Sequence, residues 1–154
     1  AGKPMWGGWS PSSTNTRLQS TAQAGLTAAD VPKLTLKWAF GFPDATSAWS
    51  QPTVVGGRLF VGSQNGTVYA LDLQSGATVW KQDKMTLRRL SAPTVTGNAV
   101  AVADFEGYIH WLAREDGRFL ARERAARAAV LAAPMARPKN AVPIMSTVVP
   151  AART

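Results

Sequence analysis

Residues 50–81, SQPTVVGGRLFVGSQNGTVYALDLQSGATVWK, are matched 41 positions later by residues 91–122, SAPTVTGNAVAVADFEGYIHWLAREDGRFLAR, in gap-free register. Pro52 and Pro93 open the two units. Gly56 and Gly97, Gly66 and Gly107, and Gly76 and Gly117 then recur at three successive turns. Tight β-turns often need a positive φ, which glycine adopts without steric cost, so the recurrence is one of backbone geometry. Short β-rich runs lie between the turns: Thr53–Val55, Arg58–Gly62, Thr67–Leu71 and Thr78–Lys81, then Thr94–Thr96, Ala99–Ala103, Tyr108–Leu112 and Phe119–Arg122. Asn65-Gly66 is a strong hairpin signal. Four short antiparallel strands in about 40–45 residues make one blade of a β-propeller. The sequence therefore predicts an all-β partial propeller with two complete four-stranded blades, at about 50–81 and 91–122.

Upstream, residues 1–33 read as a loop and short-helix segment. Trp6, Trp9, Asn15 and Arg17 precede a loop, and Thr27 is placed to cap a single helical turn. After Pro32 the run Leu34–Phe40 alternates apolar and polar residues, as in a half-buried strand. Lys37-Trp38 resembles Val79-Trp80 at the end of a blade. Residues 34–42 are therefore expected to be the outer strand of an earlier blade whose inner strands are absent. Downstream, Ala133-Pro134 falls 41 residues after Ala92-Pro93, so a partial third unit is expected from about 131. Ala121–Ala133 is rich in Ala and Arg, which suits a helix, although the repeat predicts strand and turn at its start. Pro138, Pro143 and Pro150 each remove a ladder donor. Residues 137–154 are expected to be a poorly ordered basic tail, leaving 34–136 as the propeller repeats.

The chain has 154 residues, enough for one domain with a real core, and 45% of them are hydrophobic. It has no cysteine, which excludes disulfides, thiolate zinc sites, covalent c-type haem attachment, a Cys nucleophile and a lipidated Cys within it. No apolar run approaches the ~18 residues of a membrane span. AGKPMWGGWS has no charged head followed by an apolar stretch, the pattern of a signal peptide. The formal net charge is +8, and no acidic residue follows Glu123. Such a surface suits nucleic acid, anionic lipid or an acidic protein face, or simply solvation.

Enzyme signatures are sparse. His110 is the only histidine, so a multi-His metal site is excluded. In the predicted strand Tyr108–Leu112 its plainest role is ring packing. No G-x-S-x-G elbow and no phosphate-binding glycine loop is present. Asp104, Glu106, Glu115 and Asp116 fall in predicted turns beside Gly107 and Gly117. Turn acids that bond local backbone explain them better than a calcium or acid/base site. Six tryptophans with basic charge would suit single-strand stacking. Most of them fall at blade-core or docking positions instead, so nucleic acid is the weaker partner.

The run Ala70-Leu71-Asp72-Leu73-Gln74-Ser75-Gly76-Ala77-Thr78-Val79-Trp80 fits the A-x-D-x-x-x-G-x-x-x-W pattern and resembles the pyrroloquinoline-quinone-type (PQQ-type) propeller repeat. The resemblance implies that Ala70, Asp72, Gly76 and Trp80 form a docking motif in which the Trp of one blade packs on the next. The second unit departs from it, with Ala113 for the Asp and Ala121 for the Trp. Residues 1 to about 69, including GGWSPSSTNTR and GLTAADVPKLTLKWAFGF, resemble quinoprotein dehydrogenases of the polyvinyl-alcohol type. Residues from about 70 to 136, including DFEGYIHWLAREDGRF, resemble the outer-membrane assembly lipoproteins of the BamB type.

The second resemblance implies a non-catalytic scaffold on the periplasmic, inner face of the outer membrane. It would bind the β-barrel assembly machinery through its loops, with no cofactor. Arg88, Arg89, Glu115, Asp116 and Arg118 are the candidate loop residues. The first resemblance implies the alternative, a fragment of an alcohol dehydrogenase using PQQ and calcium, to which no residue here can be assigned. Two blades cannot close a ring, so the outer faces of both sheets are expected to lie open and expose apolar side chains, and self-association to complete a propeller is expected.

Overall fold

Two antiparallel sheets repeat one another along the chain. The computed structural model describes residues 5–11, 16–85 and 89–125. The partial third unit, the Pro-rich tail and Arg88 lie outside the described residues. The first sheet contains β1 (Trp6–Gly7), β2 (Thr53–Val55), β3 (Arg58–Gly62), β4 (Val68–Asp72) and β5 (Thr78–Gln82), in that order. The second contains β6 (Thr94–Thr96), β7 (Ala99–Ala103), β8 (Tyr108–Ala113) and β9 (Phe119–Arg124). The repeat reaches down to an irregularity: the register shifts between Ala70 and Leu71 in one sheet and between Trp111 and Leu112 in the other. These are blades of a β-propeller.

The first blade differs from expectation by a fifth strand. β1 pairs with the otherwise free inner edge of β2, setting Trp6 opposite Val54 and Gly7 opposite Thr53. Two residues carry no alternation, so local pattern could not reveal it. Ahead of the blades stand a one-turn helix, α1 (Thr21–Ala24), and a 3-10 helix, Ala28–Lys33. Ser20 caps α1 in a reciprocal box with Gln23. At the 3-10 helix, the Asp30 carboxylate accepts from Thr27 N and Thr27 Oγ1, at 3.0 and 2.7 Å.

Alternation along the strands divides the apolar side chains between two layers. Phe60, Val68, Ala70 and Trp80 of the first blade meet Val100, Val102 and Leu112 of the second, with Met85 and Leu90 of the connection filling the layer. The opposite side of the first blade presents Val61, Tyr69 and Leu71, covered by Trp38, Phe40 and Phe42. Those three side chains project from residues 34–42, which form no strand. The expected outer strand is thus corrected: its alternation is present and packs, but no neighbouring strand exists among the described residues to bond its backbone. The expectation that both outer faces lie open is corrected too, since this segment covers one of them.

Short polar links tie the blades at their inner ends. Ser50 Oγ donates to Ser91 O at 3.1 Å, and buried Thr53 Oγ1 donates to Pro93 O at 2.5 Å. The Thr53→Val variant keeps the shape but strands the Pro93 carbonyl. It is expected to cost about 1–3 kcal/mol in a urea melt. A loss indistinguishable from zero would show that water replaces the bond.

Candidate interaction surface and blade-docking site

The turn between β4 and β5 is built by Asp72. Its Oδ1 accepts from Gln74 N, Ser75 N and Ser75 Oγ at 3.0, 2.8 and 2.8 Å. The Ser75 hydroxyl, then the Ser75 N–H, hold this carboxyl below its usual range. The turn closes through Gly76, whose N–H donates to Asp72 O and whose φ is 73°. One repeat later, Gly117 (φ 74°) donates to Ala113 O at 2.9 Å. Ala113 lacks the carboxylate, and Asp116 Oδ1 accepts from Arg118 N instead.

Each of these glycines is the floor of an indole seat. A Cβ on Gly76 would lie 2.6 Å from Trp38 Cδ2, and one on Gly117 would lie 2.4 Å from Trp80 Cε3. The indole N–H groups complete the match: Trp38 Nε1 donates to Leu73 O at 3.1 Å and Trp80 Nε1 to Arg114 O at 3.0 Å. Only a residue without a side chain admits ring contact at this range, and the positive φ excludes β-branched replacements. Trp80 of β5 stands opposite Ala70 of β4, a small partner beside a large ring. In the second blade the pair is reversed, Trp111 standing across from Ala121. The indole that the sequence lacks at 121 has moved to the adjacent strand.

Two further side chains of the first blade hold the β8–β9 turn. Gln82 Nε2 donates to Gly117 O at 2.9 Å, and Arg58 Nη1 donates to Arg114 O and Glu115 O at 2.8 and 3.1 Å. No local pattern marks Arg58 and Arg114 in the sequence, because their link spans 56 residues. Glu115, Asp116 and Arg118 stand exposed on this clamped turn. With the β2–β3 and β6–β7 turns, Glu115 and Arg118 border an open groove that includes Arg58, Asn98 and Arg114. Arg89 lies elsewhere, in the connection beside Leu90, which bridges to Asp104 at the other end of the strands. Six-residue β8 separates the two ends by about 20 Å. The structure therefore does not join Arg89 to the other candidates.

The β7–β8 turn holds a buried pair. Asp104 Oδ1 accepts from Glu106 N and Tyr108 N at 2.9 and 3.0 Å, while Oδ2 faces His110 Nε2 at 2.8 Å. An ionised carboxylate only accepts, so Nε2 carries the proton. Burial pushes the Asp104 carboxyl up. The hydrogen bond from His110 and those from the Tyr108 and Glu106 N–H groups outweigh it and hold the group below its ordinary value. The His110 ring also lies 6.1 Å from that of Phe119. Among the described residues no group of three His, Cys, Asp or Glu side chains is placed to hold a metal, and the sole histidine is engaged by Asp104.

A family model described as "Outer membrane protein assembly factor BamB" matches residues 2–147. The chain is 45% identical to a polyvinylalcohol dehydrogenase from Pseudomonas sp over 101 residues, which cover 66% of the chain and 15% of that protein. It is 47% identical to outer membrane protein assembly factor BamB of Bordetella pertussis over 75 residues, covering 49% of the chain and 19% of that protein. The quinohemoprotein alcohol dehydrogenase of Comamonas testosteroni superposes with a TM-score of 0.69 at 20% identity, covering 81% of this chain and 20% of that one. This last likeness is one of fold. The chain thus spans under a fifth of the length of these two curated relatives.

Proposed function

Because the chain belongs to the family described as outer membrane protein assembly factor BamB, we propose that its blades are a non-catalytic scaffold. They would present turns to a protein of outer-membrane β-barrel assembly, on the periplasmic side. The observation that carries this reading is the β8–β9 turn. Trp80, Gln82 and Arg58 of the neighbouring blade grip its backbone, while the side chains of Glu115, Asp116 and Arg118 are exposed, where a partner can reach them. A rigid base with outward polar side chains is what a loop-mediated contact requires. Arg89, on the opposite rim, belongs to a second patch in this reading. Among the described residues no helix is long and apolar enough to cross a membrane.

Association of copies to complete a ring belongs to the same proposal. Leu36, Trp49 and Phe105 are 84%, 80% and 71% exposed, and apolar groups so placed favour contact between chains.

The identity to a polyvinylalcohol dehydrogenase, which covers more of the chain than that to the assembly factor, favours a second reading: part of a PQQ-dependent dehydrogenase. One experiment separates the two. The chain, carrying a photo-cross-linker at position 116, is mixed with purified outer-membrane β-barrel assembly complex and, separately, with PQQ, calcium and a dye-linked alcohol assay. Cross-linking without alcohol turnover is expected. Turnover without cross-linking would overturn the scaffold reading.

A further inference from the structure

Resting on the scaffold reading, we propose that the groove between the blades is a seat for a partner's acidic, leucine-type peptide segment, with carboxylates alternating with apolar side chains. Three arginines border it, Arg58, Arg114 and Arg118, with Asn98 beside them and Val55 and Leu120 offering apolar surface. Leu120 is 47% exposed although it sits on a strand, so an apolar side chain can reach it. Arg58 is fixed by its bonds to the carbonyls of Arg114 and Glu115, which places one cation without help from a ligand. Arg118 reaches Asp116 at 3.4 Å, but its side chain remains 69% exposed, so a second carboxylate can join it. Arginine suits this task because its planar fork grips a carboxylate with two parallel bonds.

The choice of partner class follows from what interrupts the basic surface. Glu115 borders the groove and Asp116 stands on the same turn, next to the arginines. A nucleic-acid backbone or an anionic bilayer presents uninterrupted negative charge and would bring phosphates against these two carboxylates. A peptide whose carboxylates are spaced by apolar residues can place charge at the arginines and carbon at Val55 and Leu120. Opposite-charge placement of this kind sets register and partner choice as well as affinity.

The probe is a fluorescein-labelled peptide alternating Glu and Leu, read by anisotropy at low and physiological salt. Its Gln/Leu counterpart, a poly-dT oligonucleotide and phosphatidylglycerol vesicles serve as rivals. The Arg114→Glu/Arg118→Glu variant is expected to bind the Glu/Leu peptide about tenfold or more weakly. The variant Lys33→Glu/Lys84→Glu has the same net charge and is expected to bind within about twofold of the unchanged chain. Arg118→Gln, altered at an exposed site, is expected to lie between them and guards against misfolding of the reversal variant.

Equal weakening in both double variants would overturn the proposal, because net charge alone would then explain binding. Equal binding of the Gln/Leu peptide would overturn it as well. So would vesicle or oligonucleotide binding that depends on Arg114 and Arg118 while peptide binding does not. The scaffold reading fails separately. Peptide binding that needs the arginines, with no cross-link to the assembly complex, keeps the groove and removes that partner. A cross-link with no peptide binding keeps the partner and removes the groove.

Discussion

Trp80→Ala is expected to lower the unfolding free energy by about 3–5 kcal/mol, measured by urea denaturation. The ring is 7% exposed, lies within the layer shared by both blades and stands 5.9 Å from Phe60. Its loss removes apolar burial, leaves a cavity beside Phe60 and takes away one of the two donors to the Arg114 carbonyl, which keeps only the bond from Arg58 Nη1. Gly117→Ala attacks the same seat from below. The new Cβ would stand 2.4 Å from Trp80 Cε3 at a φ of +74°, so ring or turn must move, at a cost of about 1–3 kcal/mol. Combining the two variants should cost less than their sum, since the methyl group no longer meets an indole. A loss under ~1 kcal/mol for Trp80→Ala, or strict additivity in the pair, would show that the ring does not bear on Gly117.

The seat also shows which features a sequence can carry. Turn glycines at a fixed period are legible because each answers a local demand, a positive φ, and eight strands lie within about two residues of the runs between them. The two-residue β1 and the cover formed by 34–42 leave no such local mark. Each depends on an edge or face supplied by residues far along the chain. The alternation of Trp38, Phe40 and Phe42 correctly signals a packed face, but alternation cannot say whether a partner strand exists. The candidate surface divides in the same way. Glu115, Asp116 and Arg118 announce themselves as turn residues beside a glycine. Arg58 sits in a strand and Arg114 gives only its backbone carbonyl at the start of the turn, so they become one clamp only through three-dimensional contact. The displaced indole at Trp111 became visible only with the register that sets it opposite Ala121.

Asp104→Ala is expected to cost about 3 kcal/mol at neutral pH, because removing one member of a buried, bonded pair leaves the other without its partner. Asp104 and His110 are 1% and 2% exposed, so water cannot readily take the carboxylate's place against Nε2. His110 Nδ1 already has no hydrogen-bond partner, so the ring would then be buried with neither nitrogen satisfied. Asp104→Asn should be milder, since its amide oxygen can still accept from the Glu106 and Tyr108 N–H groups. The pH dependence separates charge from shape. The folded-state pKa of Asp104 is depressed, so its contribution is fully present above the unfolded value of about 4 and is lost as pH falls through the folded value. Asn carries no charge at any pH. The stability gap between the unchanged chain and Asp104→Asn should therefore narrow below about pH 4. Urea melts across that range test it: a gap that stays constant into the acid limb would mean that the carboxylate acts there only as a shape and an acceptor, without the advantage of its charge.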